Sequence, residues 1–349
     1  MPALAASRLL SSFLFLQSPL DPTFDRHEPA PARRGETQIF CPTNYTVVDH
    51  FFAQSSHQFN DSAPYDPLAD SFGLLDKSEE RWERFIERID RLNRDADAGT
   101  AYKVFFLGRH GEGWHNVGEK KYGTKAWDGY WSMLEGDGEI KWGPDPLLTS
   151  LGERQAARVN TAWKRELREG APLPQSFYSS PFSRAASTLE ITWSDILAEL
   201  RYHKKPLIRE HLRETMGVHT CDKRNTKTYL KQHYPSFRLE VPFSEHDELW
   251  SPDWRESDQQ HALRTQQVLN KIFATDPAQV ISITAHGGVM QSFLRVVGHR
   301  KVSVSTGSLV PVVVKAVDSP EVENELLAGG QSIAAPPRPR PTSYRSVDL

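Results

Sequence analysis

The chain has 349 residues, of which 38% are hydrophobic and 25% charged, and a formal net charge of -3. That length allows one large or two ordinary domains. The near-balanced charge implies no general attraction for polyanions, so no nucleic acid partner is expected. Its two cysteines, Cys41 and Cys221, cannot build a disulfide framework, and neither stands in a metal-type spacing. This favours a reducing compartment and a cytoplasmic setting.

In chain order, the first feature is the apolar run Leu9–Leu16 behind the single cation Arg8. It fits the apolar stretch of a secretory signal, which makes secretion the alternative to the cytoplasm. The run is too short to span a bilayer, so no membrane span is expected. Asn44-Tyr45-Thr46 and Asn60-Asp61-Ser62 match the permissive glycosylation acceptor pattern. Residues 18–36 are rich in Pro, Ala, Asp and Arg without an apolar period, so residues 1–43 read as a leader, largely disordered or a targeting segment. At the far end, residues 318–349 carry Gly329-Gly330 and the run from Ala335 to Pro341, and read as a disordered Pro/Arg-containing tail.

Residues 44–317 alternate strand and helix. Trp82, Phe85, Ile86, Ile89 and Leu92 fall at helical intervals between Ser78 and Leu92. Lys103–Leu107 reads as a strand. Ser150-Leu151-Gly152-Glu153 has the form of a capping box, with Ala156, Val159, Trp163 and Leu167 on one face behind it and Gly170 as the stop. Gln175–Ser179 reads as a strand. Ser180-Pro181 then reads as the cap and first turn of the next helix. A strand follows over Pro206–Glu210, a helix over Glu256–Ala274, a strand over Val280–Ala285, a helix over Val289–Val297 and a final strand over Leu309–Val317. This order predicts an α/β fold: a mostly parallel central sheet with helices on both faces, in three layers. Residues 112–146 and 211–254 are long excursions after strand ends, where a lid or substrate-binding insert belongs.

The chemistry gathers where two strands end. Arg109-His110-Gly111 closes one apolar run and His286-Gly287-Gly288 closes another. Loops at the carboxyl ends of parallel strands are where such folds bind ligands. A neutral imidazole with one nitrogen free and the other held is a nucleophile. Arg109 is a planar, permanently charged donor suited to a phosphoryl group. Arg184 follows Ser180-Pro181 in a helix first turn, whose free N–H groups also suit an anion. His286, as imidazolium, would donate to phosphoryl oxygens. Expelling an alkoxide takes a proton. Glu214 is the preferred acid, with Glu210 and Glu112 as rivals. A metal site is disfavoured: His110 and His115 are five apart rather than four, and Gly111 and Gly113 argue against a helix between them.

Taken together, Leu107-Gly108-Arg109-His110-Gly111-Glu112 with Asn116, Ser180-Pro181 with Arg184, Leu212 and Glu214 with Gly217, and Ala285-His286-Gly287 resemble the ordered signature of the histidine phosphatase superfamily, the phosphoglycerate mutase-like proteins. The segments Val218–Arg224 and Thr284–Gly288 are similar to its fungal phosphomutase-like group. The resemblance implies that His110 takes the phosphoryl group as a phosphohistidine. It also implies that Arg109, Arg184 and His286 complete the phosphate pocket and that Asn116 adds a donor. Glu214 would protonate the leaving oxygen and then deprotonate water, and no metal or organic cofactor is required. One departure stands out. Position 113 is glycine, where Ser or Thr is common, so the missing donor falls to the Gly113 backbone or to His115.

The resulting expectation is a phosphomonoester hydrolase for a small phosphorylated substrate. The alternatives are a cofactor-dependent phosphoglycerate-type mutase and a non-catalytic phospho-ligand-binding or interaction protein. Lys120, Lys121 and Lys125 are either a second anion site or a solvated cluster, and Trp127, Trp131 and Trp142 either wall the pocket or form the insert's own core. The sequence sets no oligomeric state.

Overall fold

A computed structural model of the chain describes residues 42–63 and 65–318. The run Leu9–Leu16, residues 18–36 and the Pro/Arg tail lie outside the described residues.

Seven strands form one sheet. They are β1 (Pro42–Val47), β2 (Thr100–Arg109), β3 (Ser176–Ser179), β4 (Leu207–Ile208), β5 (Arg238–Leu239), β6 (Val280–Ala285) and β7 (Leu309–Asp318). Their spatial order is β1-β7-β2-β6-β3-β4-β5. β2, β6, β3, β4 and β5 run parallel, and β7 and β1 are added antiparallel at one edge.

Successive residues of a strand point to opposite faces, and β2 shows it. Val104 and Phe106 enter one core with Trp82, Phe85 and Ile89 of α1 (Arg81–Arg94), Trp163 of α4 (Ser150–Arg168) and Trp193 of α5 (Ser183–Glu199). Phe105 and Leu107 enter the other, with Leu269 and Ile272 of α7 (Asp258–Thr275) and Val289 and Phe293 of α8 (Gly287–Val296). The sheet is therefore the middle of three layers. The four residues from Val104 to Leu107 are at most 2% exposed, which is why β2 reads as an unbroken apolar run rather than an alternation.

Differences at three boundaries have a clear physical cause. β1 has no apolar pattern to announce it; it forms because β7 offers an open antiparallel edge. The cap of α4 is Thr149, whose hydroxyl accepts from the Gly152 N–H, one residue ahead of the expected Ser150. The strand expected over Pro206–Glu210 keeps only two residues in β4, because Glu210–Leu212 turns as a short 3-10 helix and drives Leu212 into the core.

The insert after β2 folds into α2 (Trp114–Tyr122), α3 (Thr124–Gly129) and a 3-10 turn at Trp131–Met133. The later insert holds a 3-10 turn at Thr220–Asp222 and α6 (Lys227–His233). Trp127 and Trp142 pack on Cys221, with Trp131 beside them, so the tryptophans form a small core that joins the two inserts. No helix of the described residues is long and apolar enough to cross a membrane.

Candidate active site

β2, β6 and β3 are consecutive in the sheet, and parallel pairing brings their carboxyl ends to one edge. Arg109 is opposite Ala285, and Ser179 is opposite Thr284. The next residues out of each strand are His110, His286 and Ser180. The His110 N–H donates to the Ala285 carbonyl and the Ser180 N–H to the Thr284 carbonyl, so the register continues into the site.

The imidazole rings of His110 and His286 lie 5.0 Å apart, centroid to centroid, and both are buried. His110 Nδ1 is 2.7 Å from the Gly111 carbonyl oxygen. A carbonyl only accepts, so Nδ1 carries the proton and Nε2 the lone pair. Burial, then Arg184 and Arg109, hold the His110 pKa well below the ordinary imidazole value. The ring is neutral.

His286 Nε2 is 2.7 Å from Ser180 Oγ, which itself accepts from the Phe182 N–H. With the Ser180 hydroxyl as donor to Nε2, the ring proton of His286 lies on Nδ1. Burial, Arg184 and the neighbouring histidines push the His286 pKa well down, which favours a neutral ring over the expected imidazolium. A neutral Nδ1–H takes its place as the donor. Around this pair, Arg109 Nε, Arg184 Nε, His115 Nδ1 and His286 Nδ1 are all buried without a hydrogen-bond partner among the described residues. Unpartnered buried donors are costly. Here they come from three separate stretches of chain, Arg109 with His115, Arg184, and His286.

Arg184 is 1% exposed, its guanidinium 4.6 Å from the Phe182 ring. It donates to the Cys221 carbonyl at 2.8 Å and pairs with Asp222 at 3.1 Å. The opposite Asp222 oxygen pairs with Arg255 at 3.0 Å. Ser180-Pro181 does not cap α5; its N-cap is Phe182. Asp145, from the insert after β2, takes both the Ser183 N–H (2.8 Å) and the Ser183 hydroxyl (2.7 Å). That carboxylate occupies the helix end the sequence reading reserved for an anion. Asp145 and Asp222 are thus site-shaping residues that sequence reasoning missed, though Asp222 lies in the segment Val218–Arg224. Ser180, expected to cap a helix, holds His286 instead.

Glu214 sits over the start of α8. One oxygen accepts from the Thr215 N–H at 2.9 Å, the other from the Gly288 N–H at 3.0 Å. A Cβ on Gly288 would stand 2.0 Å from Glu214 Oε1, so glycine is needed there for the carboxylate to dock. Arg109 feels the Glu214 charge, and its guanidinium lies against Gly287. The rivals are otherwise engaged. Glu210 is locked between Arg213 (3.0 Å) and Arg224 (2.9 Å), and Glu112 Oε1 accepts from the Thr149 hydroxyl at 2.8 Å.

Asn116 Oδ1 accepts the Gly113 N–H at 3.0 Å and caps α2, which leaves its Nδ2 as the nitrogen that could donate. No helix joins His110 to His115, as Gly111 and Gly113 imply: α2 begins only at Trp114, with Gly113 as its cap. That helix carries His115 back to 5.3 Å from His110, ring to ring. Lys121 is held by Asp137 and Glu139, both at 2.7 Å, while Lys120 and Lys125 are exposed.

His219, Cys221 and Asp222 bring possible ligand atoms within 4.8 Å of one another, a grouping the cysteine spacing did not suggest. The guanidiniums of Arg184 and Arg255 flank Asp222 on both oxygens and repel a cation there.

The neutral histidines make stability depend on pH. His110, His115 and His286 are pushed well below the ordinary value, and His211 to about 4, in each case mainly by burial. Unfolded, each titrates near about 6.5. Below that pH the unfolded chain binds more protons than the folded one, so stability present above it is lost as pH falls. Asp145 and Glu210, raised by burial, act in the opposite sense nearer the carboxylate range. Thermal unfolding followed from pH 7.5 to 5.5 is expected to show a steadily falling midpoint. A flat midpoint would contradict the burial of neutral imidazoles.

Comparison with known proteins places this geometry. The profile of the histidine phosphatase superfamily (branch 1) matches residues 105–306. A probable phosphoglycerate mutase of Arthroderma benhamiae is 38% identical over 308 residues, covering 83% of this chain and 91% of that protein. Phosphomutase-like protein 3 of Candida albicans is 36% identical over 80% of this chain and 82% of its own length. The probable phosphoglycerate mutase PMU1 of Saccharomyces cerevisiae is 35% identical over 77% of this chain and 95% of its own.

Proposed function

This chain belongs to the histidine phosphatase superfamily, and from that premise we propose that it hydrolyses phosphomonoesters of small metabolites through a phosphohistidine on His110. One observation carries the reading. A neutral imidazole, its Nδ1 tied to the Gly111 carbonyl, is faced by buried unpartnered nitrogens of Arg109, Arg184 and His286. A phosphoryl group supplies the oxygens those donors lack.

Nε2 of His110 attacks phosphorus, and the bond from phosphorus to the leaving oxygen breaks. Glu214 gives that oxygen a proton. Arg109, Arg184 and His286 hold the non-bridging oxygens as charge develops on them. In the second half, Glu214 takes a proton from water while the water oxygen bonds to phosphorus and the N–P bond breaks. Inorganic phosphate leaves and His110 is neutral again. Cationic side chains supply the charge that a metal ion supplies in other phosphatases.

Release of inorganic phosphate from an aryl phosphate by the purified protein tests this. Turnover is expected, at a rate unchanged by excess chelator. Absence of turnover, or its loss to the chelator, counts against the reading.

The names of the relatives favour a second reading, a mutase. Incubation with a 2,3-bisphosphate and a monophosphoglycerate separates the two. Inorganic phosphate is expected; the isomer without net phosphate transfers the choice to a mutase.

A further inference from the structure

His115 has no place in the mechanism above, yet its position is unusual for a residue without a task. It lies in the first turn of α2, with its ring 5.3 Å from that of His110. Burial and the charges of Arg184 and Arg109 depress its pKa well below the ordinary value, so it shares the electrostatic surroundings of the pocket. Its Nδ1 is buried and has no partner among the described residues. An imidazole nitrogen left this way loses its hydration and gains nothing in return, unless a ligand completes it.

Gly113 shows how the ring comes to be there. Its backbone is extended (φ -104°, ψ 165°), a conformation open to any residue, so glycine is not required by torsion. It is required by space. A Cβ at 113 would stand 2.8 Å from His115 Nδ1 and 2.9 Å from Cε1. The Nδ1–Cε1 edge of the ring fills the volume into which a side chain at 113 would grow. The other donor at that corner is engaged, because the Gly113 N–H is taken by Asn116 Oδ1.

We propose that His115 is a substrate-contacting residue of the phosphoryl pocket. Its Nδ1–H donates to a non-bridging phosphoryl oxygen from the space a hydroxyl side chain at residue 113 would otherwise use. Gly113 and His115 then form one exchangeable unit: a small residue at 113 admits the ring, and a side chain at 113 expels it. The inference rests on the reading that the site takes a phosphoryl group, but not on turnover.

The test uses calorimetric titration with orthovanadate and with inorganic phosphate, alongside kcat and KM for an aryl phosphate. Gly113→Ser, His115→Ala, His115→Asn and the double variant Gly113→Ser/His115→Ala are compared with the unaltered full chain. Losing one hydrogen bond to a charged group predicts orthovanadate binding weaker by about 10- to 100-fold in His115→Ala. Asparagine, which carries a donor near the Nδ1 position, should recover at least half of that loss on a logarithmic scale. Gly113→Ser alone should weaken binding, because its Cβ and the ring compete. The double variant should bind more tightly than either single one. Thermal unfolding of each variant separates misfolding from lost contact, and the double variant, free of the steric conflict, carries the test if Gly113→Ser fails to fold.

Unchanged orthovanadate affinity in His115→Ala, or additive losses in the double variant, would overturn the inference and leave the hydrolase reading intact. An unaltered protein that binds orthovanadate through His115 but hydrolyses no ester would do the reverse. An unaltered protein that binds neither anion would sink both.

Discussion

His110→Ala is expected to lower kcat/KM for an aryl phosphate by about 1,000-fold or more, a loss of at least ~4 kcal/mol of transition-state stabilisation. The size follows from what is removed. His110 supplies a lone pair that the surrounding geometry prepares for attack: Nδ1 is committed to the Gly111 carbonyl, and burial, with Arg184 and Arg109 beside it, keeps the ring unprotonated. Alanine leaves the phosphate cradle in place, so binding of inorganic phosphate should fall far less than turnover. That split between kcat and affinity marks a nucleophile. A structural role would move both together, or would lower the unfolding temperature instead. Initial rates at saturating substrate, with phosphate affinity by calorimetry, make the comparison. Equal rates for the variant and the parent would remove His110 from the chemistry.

Glu214→Gln is expected to slow hydrolysis of alkyl phosphates by about 100- to 10,000-fold, the range of general acid catalysis, and to slow p-nitrophenyl phosphate much less. A good leaving group departs without a proton, and a poor one does not. Glu214 Oε1 accepts from both the N–H and the hydroxyl of Thr215, while Oε2 accepts from the Gly288 N–H and retains a second lone pair that can carry a transferable proton. Glutamine must turn an NH2 group toward one of those N–H donors, so about 1–3 kcal/mol of stability should also be lost. Rates across a series of leaving groups separate these effects. A uniform loss over the whole series would assign Glu214 to scaffolding rather than proton transfer.

The parts of the fold that are legible in the sequence are those fixed by burial. β2 is apolar from Val104 to Leu107 because both faces are covered there, and β6, buried at every position, runs Val280–Ala285 as read. Their shared parallel register is what turns two distant His-Gly pairs into neighbours. What failed to read from the sequence depends on partners far along the chain. α5 is capped by Asp145, 38 residues upstream, not by the local Ser180. Ser180 instead orients His286, 106 residues downstream. β1 exists because of β7, and β4 is cut short by the turn that buries Leu212. Its residue type suggests a charge on His286, yet burial first, and then Arg184 and the neighbouring histidines, favour the neutral ring. Local signals set elements, and the long-range contacts set their caps, tautomers and charges.

The central claim is a covalent bond between His110 and phosphorus, and trapping that bond tests it most directly. The protein is mixed with an excess of phosphorylated substrate, quenched within milliseconds and digested, and its peptides are then mapped by mass. The account predicts a phosphoryl group that survives alkali, is lost in acid, and resides on the peptide containing His110. Steady turnover with no phosphopeptide at any quench time, or with the phosphoryl group on another residue, would contradict it.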